Sequence, residues 1–291
     1  MIFLVSRPDA KRHEQHRKNP RVRNERGAMA LARSRVASLV NGILRHADLE
    51  LHRLTRQPAP TNPEFPDLEP WVAEIIKKVR PFTMTTDWRI SALCHAVRYA
   101  ARANIPGDIV ECGVWRGGSM MAAALVLLAE GNTSRRLYLF DTFEGMPPPT
   151  SIDRDAKSQT PASVLLDEVD TSSNVRAYAP FEEVRVNLEG TGYPTANIRF
   201  IRGRVEDTVP KEAPDSIAVL RLDTDWYEST RHELIYLFPR LSIGGALIID
   251  DYGHWEGARK AVDEYFEKNR LSILLNRIDY TGRIAVKTAS M

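Results

Sequence analysis

Four aspartates carry the plainest chemistry in this chain. In "VLRLDTDWYEST" (219–230) an apolar run ends on Asp223, with Asp225 two residues on, and in "GGALIIDDYGHW" (244–255) another ends on the adjacent Asp250 and Asp251. Apolar runs bounded by turn residues read as buried strands, and carboxylates at the end of a buried strand are costly unless an opposite charge meets them. Asp223 precedes Asp250 by 27 residues, room for one helix and a crossover. The two strands can therefore lie side by side and deliver Asp223, Asp250 and Asp251 to one place. Three converging carboxylates repel one another unless a cation intervenes. Oxygen donors without His or Cys favour Mg²⁺, Mn²⁺ or Ca²⁺ over zinc, and three protein ligands leave places for water and substrate hydroxyls. The alternative is that Asp250 and Asp251 cap the next helix while Asp223 is an exposed loop acid. Asp225 reads as a cap of its own helix, or as a support to the ligands, rather than as a ligand.

A second chemical feature is "VECGVWRGGSMM" (110–121), where a strand meets a helix through Gly113, Gly117 and Gly118. Glycines there allow a tight turn and a close approach of ligand to backbone, and the helix start offers free N–H groups to an anion. The spacing G-x-x-x-G-G is neither the dinucleotide fingerprint nor a Walker loop. Glu111 stands at the end of this strand, and Asp141 ends the next one 30 residues later, where a carboxylate commonly accepts from ribose hydroxyls. A plain glycine turn with solvated acids is the competing reading.

The elements that must hold these residues alternate regularly. Strands are expected at "DIVECGV", "RLYLFDTF", "IRFIRG", "SIAVLRLDTD" and "GGALIIDDY". Helices are expected at "WVAEIIKKVR", "DWRISALCHAVRYAARA" with Asp87 as N-cap, "SMMAAALVLLAE", "FEEVRVNLEGTGYP", "STRHELIYLFPRL" and "GARKAVDEYFEKN". Such alternation means βαβ units: a doubly wound, mostly parallel Rossmann-like sheet. "SILLNRID" and "RIAVKTA" have no helix between them and predict an antiparallel C-terminal edge hairpin. Ligands in such sheets sit beyond the carboxyl ends of the strands, where all these acids fall.

Composition narrows the classes. The 291 residues are 43% hydrophobic and 27% charged, a globular balance. Residues 1–28 hold eight Lys/Arg against three acids and read as a disordered basic tail, which leaves the rest slightly acidic and argues against a general nucleic-acid binder. Residues 29–80 read as a helical extension with a proline-rich linker at 56–70, and 81–291 as the main domain. Within that domain 145–180, with no clear period, is the expected lid over the site. Cys94 and Cys112 alone suit a reducing compartment. With no signal-peptide core and no membrane-length apolar run, a cytoplasmic protein without a membrane partner is expected.

"PFTMTTDWRISALCHAVRYAARANIPGDIVECGVWRGGSMMAAAL", "LYLFDTFEGMPPPT", "RLDTDWYEST" and "GGALIIDDYG" resemble the macrocin O-methyltransferase family over roughly residues 70–285. The resemblance implies an S-adenosylmethionine- and Mg²⁺-dependent enzyme that methylates sugar hydroxyls of antibiotics. It assigns Glu111, Gly113 and Ser119 to the methionine half of the cofactor, Asp141 to the ribose, and Phe143 to the adenine. Gly203, Glu206 and Asp207 fall on the adenine side, and Thr85 in the segment that closes over the cofactor. Asp223, Asp250 and Asp251 match the metal site, with Asp223 also the general base. His254 and Trp255 face either the acceptor or the surface, whereas His95 and His232 lie within helices as structural residues. The implied partner is a small sugar-containing acceptor, with a homo-oligomer left open. Rival readings are a catechol acceptor, a Mg²⁺-dependent phosphohydrolase and a non-catalytic cofactor-binding module.

Overall fold

A strand covered on both faces must be apolar at nearly every position, and Ile109–Val110, Leu137–Phe140, Ile217–Leu220 and Ala246–Ile249 are written that way. The computed structural model describes residues 67–167 and 176–288, and in it these runs become β1 (Asp108–Cys112), β2 (Leu137–Asp141), β4 (Ile217–Leu222) and β5 (Leu241–Ile249). With β3 (Ile198–Arg202), β6 (Asn276–Arg277) and β7 (Arg283–Val286) they form a sheet in the order β3-β2-β1-β4-β5-β7-β6. The first five are parallel, β7 runs antiparallel to β5, and β6 antiparallel to β7. The doubly wound sheet with an antiparallel C-terminal edge is therefore as expected. The basic tail, the helical stretch and most of the proline-rich linker assigned to residues before 67 lie outside the described residues.

The crossovers place helices on both faces. α1 (Pro70–Val79), α2 (Asp87–Arg102), α3 (Gly118–Ala129) and α5 (Phe181–Glu189) pack with Ile109, Leu139, Val219 and Ile248 into one core. α6 (Val205–Thr208), α7 (Tyr227–Tyr236) and α8 (Glu256–Lys268) pack on the other face with Val110, Phe140, Leu220 and Leu247. The helix "GSMMAAALVLLA" is buried along most of its length because it lies between the sheet and its neighbouring helices. α4 (Ala162–Asp167) is a short helix within the long connection after β2. Among the described residues no helix is long and apolar enough to cross a membrane.

Two local expectations change. The N-cap of α2 is Thr86, whose side chain accepts from the Arg89 N–H, and Asp87 is the first helical residue. The hydroxyl satisfies an orphan N–H one residue earlier, while the Asp87 carboxylate still favours the positive end of the helix. The strand expected over 272–279 shrinks to Asn276–Arg277, since β7 is short and offers little ladder to pair with. The edge is fixed elsewhere: buried Lys287 donates to the carbonyls of Phe238, Pro239 and Leu241 at 2.7–3.1 Å.

Gly113 leaves β1 at φ +82°, and a Cβ there would sit 1.9 Å from the Asp223 carbonyl oxygen. Strained backbone of this kind costs about 1–3 kcal/mol before any clash is counted. Gly113→Ala is expected to lower stability by at least that range in denaturant unfolding and to weaken cofactor binding. A variant as stable as the parent would show that the two strand ends part freely.

Candidate active site

Side chains alternate along a strand, so register decides which acids meet. β4 lies between β1 and β5, Glu111 is level with Arg221, and Arg221 is level with Ile248. Glu111, Arg221, Asp223 and Asp250 consequently fall on one face, and the strand ends collect into a buried charged cluster. Arg221, 4% exposed, donates through Nη1 to Glu111 and to Asp223 at 2.7 Å, and through Nη2 to Asp250 at 2.7 Å. Arg89, arriving from the first turn of α2, donates to the other Asp250 oxygen and lies 3.1 Å from Asp279. One carboxylate oxygen from each of Asp223, Asp250 and Asp251 lies within 4.8 Å of the other two. The convergence inferred from the 27-residue spacing is thus present.

Asp225 is not a helix cap. α7 starts at Tyr227 with no side-chain cap, and Asp225 sits at φ +67° with Oδ1 accepting from the Trp255 indole N–H at 2.7 Å. That left-handed turn aims the carboxylate back at the cluster, within the electrostatic reach of Asp223 and Asp251. Burial pushes Asp225 and Glu111 up to about 7, in the latter case against the pull of Arg221. Burial likewise raises Asp223 and Asp251 well above the usual carboxylate range. Burial opposes the charge on Arg221, but Asp223, Asp250 and Glu111 overcome it and hold the guanidinium protonated.

Beside the cluster opens a cavity of about 270 Å³, lined by Thr85, Gly113, Ser119, Asp141, Gly203 and Glu206 as well as Asp223, Asp250 and Asp251. Phe82 and Thr83 cross directly over the start of α3, so that a Cβ on Gly118 would lie 2.5 Å from the Phe82 carbonyl oxygen. Asp141 closes the glycine turn: Oδ2 accepts from the N–H groups of Val114 (2.6 Å) and Trp115 (3.1 Å), and Oδ1 from Phe143 (2.7 Å). Three sequence candidates do not line the cavity. Glu111 lies under it in the sheet. Phe143, at φ +54°, turns into an edge-on cluster with Phe181 and Phe200. Asp207 is exposed on α6.

Another part of the wall comes from the long connection after β2 and from the turn before α8. Met146, Pro147, Leu166, His254 and Trp255 line it. Buried Asp153 anchors this connection, accepting from Thr150 N–H (2.7 Å) and Oγ1 (2.8 Å) and from the Tyr227 N–H at the start of α7 (2.8 Å). The Trp226 indole donates to Pro147 O at 2.9 Å. His232 bonds the Val209 carbonyl and His95 faces Glu69, both away from the cavity. Cys112 is buried, and desolvation pushes its thiol well up. Arg89, Arg221, Asp279 and Asp153 are absent from the sequence candidates. For Arg221 a signal existed: it stands two residues before Asp223 and so shares its face.

The chain is similar to proteins of known activity. The macrocin-O-methyltransferase (TylF) family signature matches residues 61–286. A tetracenomycin-C 4'-O-methyltransferase of Streptomyces olivaceus, named for its 2,3-dimethoxy-α-L-rhamnosyl substrate, is 39% identical over 204 residues, covering 69% of this chain and 73% of its own length. The mycinamicin III 3''-O-methyltransferase of Micromonospora griseorubida is 34% identical over 200 residues, 69% of this chain and 76% of its own. The solved structure of the O-methyltransferase NovP superposes with a TM-score of 0.62 at 33% identity, covering 72% of this chain and 83% of that one.

The buried carboxyls give the stability a definite pH slope. Glu111, ordinarily near 4.5, holds its proton to about 7 when folded. Its contribution is complete below the ordinary value and is lost as pH rises through the folded one. In chelator, the thermal midpoint is expected to fall between about pH 5 and about pH 8. Glu111→Gln, which cannot ionise, makes that fall shallower; an equally steep profile would place the proton on another group.

Proposed function

The chain belongs to the macrocin O-methyltransferase family and is an S-adenosylmethionine-dependent O-methyltransferase; from that premise we propose that it methylates a sugar hydroxyl of a natural product at a divalent-ion site formed by Asp223, Asp250 and Asp251. The observation that carries this reading is the opening of one cavity onto both the glycine turn and the three-carboxylate cluster. A relative whose name carries a rhamnosyl group supports the acceptor class.

The donor set fits a hard dication. Among the described residues Arg89 and Arg221 pair with Glu111, Asp223, Asp250 and Asp279 while Asp225 and Asp251 have no ion pair, so carboxyls outnumber guanidiniums, and Glu111 Oε2 is buried without a hydrogen bond. All donors are oxygen, which selects Mg²⁺ or a similar ion. When bound, the cofactor supplies an electrophilic methyl group, and the ion supplies Lewis acidity that lowers the pKa of an alcohol.

The rest is done by the chain. Gly113 and Ser119 receive the methionine half of the cofactor, Asp141 the ribose, and Gly203 and Glu206 the adenine side. Thr85 covers the cofactor. Phe143 supports the adenine side from behind through Phe181 and Phe200, and Glu111 acts through Arg221. Asp207, exposed on α6, is not part of the cavity lining. Adjacent hydroxyls of the sugar face the carboxylate cluster, with His254 and Trp255 walling the acceptor. Proximity supplies much of the acceleration, well-oriented groups reaching effective molarities of about 10⁵–10⁸ M.

Asp223 and Asp225 both stand where a base is needed. Asp223 has one oxygen on Arg221 and belongs to the ion's ligand set, which spends its basicity. Among the described residues no arginine pairs with Asp225, which is aimed by the Trp255 indole. The geometry favours Asp225 as the group that takes the hydroxyl proton. Turnover of a rhamnosyl glycoside is expected to stop in excess chelator and return with Mg²⁺, and catechols to be poor acceptors. Asp225→Asn should lower kcat by about 10²–10⁴-fold with Mg²⁺ affinity nearly unchanged, whereas Asp223→Asn should weaken Mg²⁺ binding. Chelator-insensitive turnover removes the ion from the reaction, and a mild Asp225→Asn returns the base role to Asp223.

A further inference from the structure

Asp250 is held by two guanidiniums, and they are not equivalent. Arg221 is locked inside the sheet by three carboxylates. Arg89 lines the cavity and has a second acid in reach, Asp279, whose Oδ2 lies 3.1 Å from Arg89 Nε. The same Asp279 oxygen accepts from Thr86 Oγ1 at 2.6 Å, and Asp279 Oδ1 accepts from the N–H groups of Thr281 (3.0 Å) and Gly282 (2.7 Å). The Arg89 stem lies against the turn itself, since a Cβ on Gly282 would be 2.9 Å from Arg89 Cδ. Three pieces of chain therefore meet at one side chain: the C-terminal turn 279–282, the acidic cluster, and the 82–89 segment that crosses the cofactor turn.

We propose that Arg89 and the divalent ion compete for Asp250, and that this competition couples the ion's site to the segment covering the cofactor. The inference rests on the metal reading above. A cation drawn to Asp223, Asp250 and Asp251 meets the positive charge of Arg89 on an oxygen it needs, and like charges at this range repel. Arg89 is the partner that yields: it retains Asp279, whereas Arg221 has no exit from the sheet. Once Asp250 is released, the covering segment loses its tie to the cluster and keeps those of Arg89 and Thr86 to Asp279. Occupancy of the cluster and tightness of the cover are thereby opposed, and by linkage the opposition is reciprocal. Arg89 is accordingly a positioning residue that acts through Asp250 rather than on the reacting atoms.

Calorimetry on the full chain tests this with two probes, Mg²⁺ alone and S-adenosylhomocysteine, whose uncharged sulfur removes the repulsion between sulfonium and ion. For the parent protein, saturating Mg²⁺ is expected to weaken S-adenosylhomocysteine binding several-fold. In Arg89→Gln, Mg²⁺ is expected to bind at least about three-fold tighter, S-adenosylhomocysteine in chelator to bind more weakly, and Mg²⁺ to leave that weaker affinity unchanged. The proposal is overturned if Mg²⁺ does not alter S-adenosylhomocysteine affinity in the parent, a measurement that needs no variant. It is also overturned if Arg89→Gln binds Mg²⁺ no better. A parent that binds no Mg²⁺ defeats the metal reading and this coupling together, whereas a parent that binds Mg²⁺ without linkage defeats the coupling alone.

Discussion

The guanidinium of Arg221 is the charge on which the working end of this sheet depends. It stands on a strand with a parallel neighbour on each side, and among the described residues it is the side chain that pairs with Glu111, Asp223 and Asp250 together. Carboxylates desolvated beside one another would otherwise protonate or force the strands apart. A buried ion pair adds little net stability compared with apolar packing, yet removing one partner costs about 3–5 kcal/mol because the other charge is stranded. Arg221 therefore acts as a keystone of geometry. It holds acids at three strand ends together, and a cation that keeps their buried carboxyls ionised would supply what burial takes away.

The strand order explains why this cluster borders the cofactor turn. From β1 the chain winds outward through β2 to β3, then returns to place β4 on the other side of β1. Loops leaving β1 and β4 diverge in opposite directions and open a crevice at that reversal. Gly113 leaves β1 and Asp223 leaves β4 at this spot, close enough that only a glycine fits. The methyl donor's turn and the carboxylates are thus neighbours through topology, with little need for special loops to bring them together.

Much of this was legible in the amino-acid order, because its signals are periodic or local. Apolar runs that alternate with amphipathic stretches indicate parallel βαβ units, and the acid-terminated runs at 219–225 and 246–251 announce a charged strand end. What escaped depends on long-range register or on backbone hand. Arg89 reaches Asp250 across 161 residues, a distance no pattern bridges. Phe143 looks like an adenine platform by position, yet its positive φ swings the ring into the Phe181–Phe200 cluster. Asp225 has the look of a cap, and the same kind of backbone turn sends it to Trp255 instead. Residues 145–167 lack a period because side-chain anchors, chiefly Asp153, hold them where a ladder would otherwise be needed.

That anchor has an evolutionary corollary. Asp153 is fixed to the start of α7, the Ala162 N–H returns to the Asp153 carbonyl at 2.9 Å, and Lys157, Ser158 and Gln159 between them stand exposed. The stretch is a cassette between two fixed posts. Its tip can change identity or length while the posts keep the ceiling of the cavity in place. Lys157, Ser158 and Gln159 do not line the cavity, so changes at the tip leave its wall of Met146, Pro147, Leu166, His254 and Trp255 as it stands.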